Sequence, residues 1–153
     1  MKTDHADIEI AVLADALTQG ELVVNATAGD ASMEAMAAGG PGALVGKIVM
    51  DTSNPIAHDS GWPPNLFVAN TDSLGEQLQA AHPDARFVKV WNTMTAAIMC
   101  DPRSIGDGDH TIPICGNDAD AKAEVTLLLQ AFGWRDILDL GDIAAGARWR
   151  PTC

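Results

Sequence analysis

One helix-and-strand unit near the middle of the chain constrains the fold most. Ser73 followed by Glu76 is the pattern of a capping box and predicts the start of a helix. Pro83 disfavours helical geometry at the residue before it, so the helix is expected to end there. The apolar residues Phe87, Val88 and Val90 then predict a buried strand, which leads into Asn92-Thr93. A helix followed by a buried strand is the repeating unit of α/β proteins, whose open parallel sheets bind ligands at the carboxyl ends of their strands.

The rest of the chain repeats this alternation of strand and helix signals. Pro113 is expected to put its strand at an edge or beside a gap in the ladder, and Asp30 is expected to cap a helix. Strands that alternate with helices imply a parallel sheet covered on both faces. The predicted fold class is therefore α/β, an open, mostly parallel sheet with helices on both faces. Further strands are predicted at residues 8–12, 21–26, 47–51, 111–115 and 137–138, and helices at 13–19, 31–38, 95–100 and 119–132.

Composition and charge exclude several classes of partner. The net charge of −12 repels the phosphates of nucleic acids and anionic lipid surfaces. The sequence has no apolar run near the roughly 20 residues of a membrane span, and its first residues lack the apolar stretch of a secretory signal. We therefore expect a cytoplasmic protein with neither nucleic acid nor membrane as a partner. The three cysteines are widely spaced, which predicts neither a disulfide framework nor a zinc site.

Small polar residues follow four of the predicted strands. The carboxyl ends of parallel strands share one edge of a sheet, so these four segments are expected to line a single crevice. The alternative, that Asn, Gly, Ser and Pro are ordinary turn residues here, stays open. The segments are residues 26–29, 52–55, 92–93 and 116–118.

Other chemical signals in the sequence are weak. The glycines at 40, 42 and 46 precede a strand, whereas a dinucleotide fingerprint follows a strand and opens a helix. His58-Asp59-Ser60 contains the residue types of a hydrolase triad, but neighbours in sequence cannot adopt triad geometry. The histidines show no ligand spacing. We therefore predict neither a catalytic acid, base or nucleophile nor a metal site.

Four motifs in order carry a family resemblance. Residues 47–55, 70–77, 88–93 and 115–122 resemble successive motifs of the NADP oxidoreductases that depend on coenzyme F-420, a deazaflavin. The same region is similar to the cytosolic NADPH-oxidising domain of six-transmembrane metalloreductases. The resemblance covers residues 13–145.

The resemblance implies a Rossmann-like domain that binds NADP and moves a hydride between NADPH and coenzyme F-420 or a flavin. Thr27 and Ala28 match the loop that passes beside the dinucleotide. Asn54-Pro55 matches the loop near the nicotinamide, and Asn92-Thr93 matches the floor of the hydride-transfer crevice. Hydride transfer needs orientation and a dry site more than an acid or a base, so these residues are assigned positioning roles only.

Two parts of the family pattern have no counterpart in the sequence. Family members begin with a strand, a glycine-rich turn and a helix that bind pyrophosphate, and they continue with further helices after the position of Ala145. We therefore expect truncation at both ends: residues 1–145 form a partial NAD(P)-binding domain without its first βαβ unit, and 146–153 a disordered tail. Two hypotheses stay open, an NADP-linked oxidoreductase domain or a non-catalytic remnant that associates with a partner or, as a homodimer, with itself.

Overall fold

The computed structural model describes residues 8–57, 61 and 63–148. Within these ranges the helices are α1 (Leu13–Gln19), α2 (Gly29–Ala37), α3 (Leu74–Ala81), α4 (Ala96–Met99), α5 (Ala119–Phe132) and α6 (Ala145–Arg148). The strands are β1 (Leu22–Asn25), β2 (Ile48–Asp51), β3 (Ile56–Ala57), β4 (Asn65–Leu66), β5 (Arg86–Lys89), β6 (Thr111–Ile114) and β7 (Asp136–Asp139). Two short 3₁₀ turns, Pro102–Ser104 and Gly106–Gly108, occupy the loop before β6.

The strands form a mixed but mostly parallel sheet. β1, β2 and β5 are parallel and adjacent in that order. β6 and β7 form a second parallel pair, and an antiparallel bridge between Lys89 and Cys115 links this pair to β5. The predicted α/β class with a mostly parallel sheet is confirmed. The reversed direction of β6 and β7 is a departure from the expectation that all the informative strand ends share one edge.

Helices cover both faces of the sheet, as predicted. Successive side chains of a strand point to opposite faces, so each strand contributes to two clusters of buried side chains. On one face α1, α2 and α3 pack over the strands, and this cluster contains Leu17, Val23, Met36, Val49, Leu74, Leu78 and Phe87. On the other face α4 and α5 complete a cluster that contains Ile48, Met50, Val88, Ile98, Ile112, Ile114, Val125 and Leu129.

Pro113 lies in the middle of β6 and shapes its pairing. On one side Pro113 pairs with Leu138 of β7. On the other side, among the described residues, β6 meets β5 only through the bridge in which the backbones of Lys89 and Cys115 exchange two hydrogen bonds. The predicted ladder gap is therefore confirmed, whereas the edge position is not, because β6 lies between β5 and β7. Proline lacks the N–H that a continuous ladder would need.

The capping box predicted at the start of α3 forms only in part. The Ser73 hydroxyl accepts a hydrogen bond from the Glu76 N–H at 3.2 Å, so the predicted N-cap is confirmed. The reciprocal half differs, because the Ser73 N–H donates to the Asp72 carboxylate at 2.8 Å. Glu76 instead accepts a hydrogen bond from the Ser73 hydroxyl. The helix ends at Ala81, shortly before the predicted stop.

Two local predictions were wrong. Residues 8–12 are irregular, with Ile8, Ile10 and Val12 exposed, because an alternating segment becomes a strand only where a neighbouring strand completes its ladder. Asp30 does not cap α2. The N-cap is Ala28, without a side-chain hydrogen bond, and Asp30 lies in the first turn of the helix.

The boundary expected at residue 145 falls inside α6. The Gly146 N–H donates to the Ile143 carbonyl at 3.2 Å, so the first residues of the predicted tail, 146–148, continue a helical turn. The remaining tail residues, 149–153, lie outside the described residues.

Candidate functional site

Three of the four predicted strand ends meet at one edge of the sheet. The last residues of β1, β2 and β5 are register partners, Asn25 with Asp51 and Asp51 with Lys89. The ladder continues one residue further, since the N–H groups of Thr52 and Val90 donate to the Asn25 and Asp51 carbonyls. The loops after the three strands, residues 26–29, 52–55 and 91–93, therefore leave the sheet side by side.

Asn54 and Asn92 are in direct contact across this edge. The Asn54 side-chain amide donates to the Asn92 carbonyl at 2.7 Å, and the two side-chain amides approach each other at 3.5 Å. Trp91, just before Asn92, has φ of 63°, a left-handed conformation that is rare for a bulky residue. Its carbonyl accepts from the Met94 N–H at 2.8 Å, which closes a tight turn. Asn92 and Thr93 are half-buried in this turn.

Thr27 and Ala28 reach the same edge from β1. The Thr27 hydroxyl is 2.7 Å from the Asn25 side-chain oxygen and 2.9 Å from the Ser32 hydroxyl, so it is bound within the protein. Ala28 is exposed and is followed by Gly29, whose backbone abuts the Asn54 carbonyl. A Cβ at position 29 would lie 2.0 Å from the Asn54 oxygen. Only glycine allows the first two loops to pack this closely.

Pro55 connects the crevice to the small β3–β4 pair. The Pro55 carbonyl accepts from the Phe67 N–H at 3.0 Å, directly beside the pairing of Ile56 with Leu66. Leu66 and Phe67 are exposed. An apolar surface therefore lies next to the polar strand ends. All six residues assigned from the resemblance, from Thr27 to Thr93, belong to the three loops at this edge.

A buried polar row beneath these loops was missed at the level of sequence. Asn25 and Asp51 are fully buried and Lys89 is 8% exposed. The Lys89 ammonium and the Asp51 carboxylate form an ion pair at 2.6 Å, and the Asn25 side chain donates to the other Asp51 oxygen at 2.8 Å. The available signal was a polar residue at the end of each strand, directly after two or more apolar residues.

The fourth predicted strand end lies at the opposite edge of the sheet, so its inclusion in the crevice was wrong. β6 runs antiparallel to β5, which brings Asp118 to Arg86 at the beginning of β5 with an N···O distance of 3.1 Å. Asp118 also caps α5 by accepting from the Ala121 N–H. The Arg86 guanidinium and this N–H lower the pKa of Asp118. Asn117 accepts from the Ile143 N–H and is likewise structural.

A cavity of about 670 Å³ occupies that opposite edge. Most of its polar side chains are already engaged with the protein. Gln79 binds the backbone around β5, and Arg86 binds Asp118 and Glu124. The lining of this cavity therefore offers few free polar groups to which a ligand could bind. Despite its volume, this cavity is a weaker candidate than the strand-end crevice.

Nucleophilic and metal chemistry find little support in the described residues. Burial raises the pKa of the Cys115 thiol to about 11, which keeps it protonated and unreactive at neutral pH. The described residues contain no cluster of His, Cys, Asp or Glu that could hold a metal ion.

Among the residues that the structure describes, there is also no helix long and apolar enough to span a membrane.

The fold and the strand-end loops together define a Rossmann-like α/β domain with a polar edge at the ends of its central parallel strands. No family model matches the chain. A solved structure of a protein from Arthrobacter sp. FB24, provisionally named an F-420-dependent NADP-reductase, has a TM-score of 0.88 and 48% identity, covering 90% of this chain. The hypothetical protein SMa0349 from Sinorhizobium meliloti has a TM-score of 0.73 and 28% identity, covering 92% of this chain. The metalloreductase STEAP3 of Rattus norvegicus is 32% identical over 103 residues, 67% of this chain.

These similarities confirm the resemblance that the motifs indicated. The chain shares the fold of the F-420-dependent NADP-reductase type, and the similarity extends to the metalloreductase. The chain spans 62% and 65% of the two solved proteins and 19% of the metalloreductase.

Proposed function

We propose that this chain is an NADP-linked oxidoreductase domain that takes part in hydride transfer between NADPH and a deazaflavin such as coenzyme F-420, or a flavin. The observation that supports this function best is the convergence of residues 27–28, 54–55 and 92–93 at one sheet edge. The proposed partners are small-molecule cofactors, and the proposed location is the cytoplasm. The charge of −12 argues against nucleic acid and anionic membranes as partners.

The chemistry of the crevice suits a nicotinamide ring. The side-chain amides of Asn54 and Asn92 can each donate and accept, which matches the carboxamide of nicotinamide. The loops at residues 26–29, 52–55 and 91–93 contain no ionisable side chain. A hydride donor bound there would be oriented without competing proton transfer. Orientation is the main contribution that a protein makes to hydride transfer between two bound rings.

Binding of the whole dinucleotide by the isolated chain is expected to be weak. The three loops at the edge contain no Lys or Arg. Lys89, which lies beneath them, is paired with Asp51. The pyrophosphate therefore lacks the charge-assisted hydrogen bonds that normally strengthen its binding.

A titration followed by NMR tests the proposal because it detects weak binding residue by residue. NADPH and, separately, reduced nicotinamide mononucleotide are added to the labelled protein up to millimolar concentration. Both ligands are expected to shift the amide signals of Thr27, Asn54 and Asn92. Shifts confined to the cavity at the opposite edge, or no shifts at all, would contradict the proposal.

Two alanine variants test whether ligand binding depends on the strand-end loops rather than on the opposite edge of the sheet. Asn92→Ala is expected to weaken binding of both ligands, because it removes an amide from the crevice. Asn117→Ala is the matched control, since Asn117 lies at the opposite edge and binds the Ile143 N–H. Equal losses of affinity in the two variants would remove the distinction between the two edges.

A second candidate function, association with another copy of the chain, is favoured by the edge of the sheet at β1. Among the described residues β1 pairs only with β2, and Leu22 and Val24 on β1 are 39% and 48% exposed. An unprotected apolar edge strand is a typical association site. With a charge of −12 on each copy, association is expected to strengthen as salt screens the repulsion.

Sedimentation at low and high salt tests this second candidate. Val24→Lys is expected to give a monomer under conditions in which the unmodified chain associates, because a charge is placed at the edge strand. Leu127→Lys is the control, since Leu127 is 67% exposed on α5. A chain that is monomeric at every salt concentration would rule out association.

A further inference from the structure

The buried row of Asn25, Asp51 and Lys89 lies directly beneath the three strand-end loops. These residues end three adjacent strands and lie in register, on the same face as the buried Val23 and Phe87 two residues earlier in β1 and β5. The residues two positions earlier in the three strands, Val23, Val49 and Phe87, are buried and apolar. Burial of an ion pair carries a desolvation penalty, and apolar replacements are often as stable or more stable. Stability alone therefore does not explain a charged pair at this place.

The row holds the second crevice loop through both backbone groups of Ser53. The Ser53 N–H and hydroxyl donate to one oxygen of Asp51, at 3.1 and 2.7 Å. The Lys89 ammonium donates to the Ser53 carbonyl. Asn54 follows directly, and its side chain binds the Asn92 carbonyl. The Asp51–Lys89 ion pair therefore holds the Asn54–Asn92 contact in position through Ser53.

The other two loops are tied to the same row. The Thr27 hydroxyl donates to the Asn25 side-chain oxygen at 2.7 Å, and Asn25 donates to Asp51. Lys89 itself begins the segment that ends in the strained turn at Trp91 and Asn92. Hydrogen bonds from the row therefore reach the first two loops, and the Asn54 side chain ties the third loop to the second.

We propose that Asp51 and Lys89 are positioning residues that fix the three crevice loops in the geometry that receives the nicotinamide end of the dinucleotide. The inference rests on the proposed function for the identity of the ligand. Asp51 and Lys89 act through Ser53 and Asn54 from beneath the loops. Networks of this kind, behind the groups that meet a ligand, hold them within the small tolerance that binding and transfer require.

Paired substitutions separate positioning from stability. The double variant Asp51→Leu with Lys89→Met replaces the ion pair by apolar side chains of similar size, so that no single charge is left buried. The control is Arg86→Met with Asp118→Asn, which removes an ion pair at the opposite edge. If the first double variant does not fold, Ser53→Ala deletes only the hydroxyl bond to Asp51, and Ser104→Ala, which removes a hydroxyl bond to Asp101, is its control.

Amide hydrogen exchange without any ligand is the first measurement. In the Asp51–Lys89 double variant the amides of Ile56 and Met94, which donate to the Asn54 and Trp91 carbonyls, are expected to exchange about tenfold faster or more. The amides of Val49 and Val88 are expected to keep their protection. Ser53→Ala is expected to give a smaller effect at the amides of Ile56 and Met94. The two controls should leave these amides unchanged. Unchanged exchange at Ile56 and Met94 in folded variants, or uniform loss across the sheet, would overturn the inference.

NADPH titration of the same variants is the second measurement. If the unmodified chain binds NADPH, the Asp51–Lys89 double variant is expected to bind about tenfold more weakly, with the control unaffected. Equal affinity in all variants would overturn the inference even if the proposed function holds. If the unmodified chain shows no shifts with NADPH, the proposed function fails, and hydrogen exchange alone then decides whether the row positions the loops.

Discussion

The Trp91 side chain combines two unusual features next to the crevice. Its backbone is in the left-handed region, and its buried indole N–H has no hydrogen-bond partner among the described residues. The ring packs at a tilt on Phe132 with centroids 5.8 Å apart. An unpaired buried donor and a strained backbone both cost stability. Both costs are explained if the turn at Trp91 is needed to place Asn92 at the strand ends.

A comparison of two tryptophans tests the cost of the unpaired donor. Trp134 is equally buried, but its indole N–H donates to the Met99 carbonyl at 2.9 Å. Trp91→Phe removes an unsatisfied donor, whereas Trp134→Phe leaves a carbonyl without its partner. We therefore expect Trp91→Phe to cost about 1 kcal/mol less in free energy of unfolding than Trp134→Phe, measured by urea denaturation. A Trp91→Phe variant that is the less stable of the two would show that the indole N–H has a partner, such as a bound water.

Between elements, the start of α2 and the loop after β2 form the tightest contact at the site. A side chain at Gly29 would collide with the Asn54 backbone, and backbone cannot rotate away as a side chain can. The two loops of the crevice thus keep their spacing only while position 29 is glycine.

Alanine substitutions in two helices measure this contact. Gly29→Ala is expected to destabilise the protein by about 2 kcal/mol or more, since loop and helix must separate. Gly75→Ala is the matched control, because it also lies in the first turn of a helix and its Cβ would meet Ile143 at an ordinary 3.4 Å. It is expected to change stability by less than about 1 kcal/mol, since alanine favours the helix. Equal stability of the two variants in urea denaturation would show that the α2 contact is loose.

Across the whole molecule, three ion pairs among the described residues attach α5 to the sheet, and one of them joins Glu124 to Arg86. Asp118 at the start of α5 binds Arg86 of β5, and Lys122 of α5 binds Asp139 of β7. Burial alone would raise the pKa of Asp139, but the Lys122 ammonium and the Gly141 N–H lower it overall. The pKa of Asp118 is lowered as well, mainly by Arg86.

These shifts predict an acid-sensitive part of the stability. A carboxyl group whose pKa is lower in the folded state stabilises the fold above its unfolded pKa. That contribution is lost as the pH falls through the folded pKa. The free energy of unfolding is therefore expected to fall between about pH 5 and pH 2, and to fall less in the double variant Asp118→Asn with Asp139→Asn. Asp15→Asn with Asp30→Asn removes the same charge outside these ion pairs. If both double variants flatten the pH profile equally, general charge repulsion is responsible.

The sequence by itself determined the fold class, the central helix-and-strand unit and five of the six helices found in the described residues. These features depend on local signals, because a cap at Ser73, a stop at Pro83 and apolar periodicity act within a few residues. The family resemblance also came from the sequence, since its motifs are contiguous, and the similarity to the Arthrobacter protein confirms it. The roles of the six site residues, from Thr27 to Thr93, stay a prediction.

Only the tertiary structure decided how the strand ends are arranged. Strand direction depends on long-range pairing, so the pattern before Asn117 could not show that β6 reverses and carries it to the far edge. The same holds for residues 8–12, whose alternation lacks a neighbour to complete a strand. The Asp51–Lys89 pair joins residues 38 positions apart. From sequence, a charged residue can be recognised as buried only when its partner is known. The register between strands brings the two residues together, and register is a property of the folded sheet.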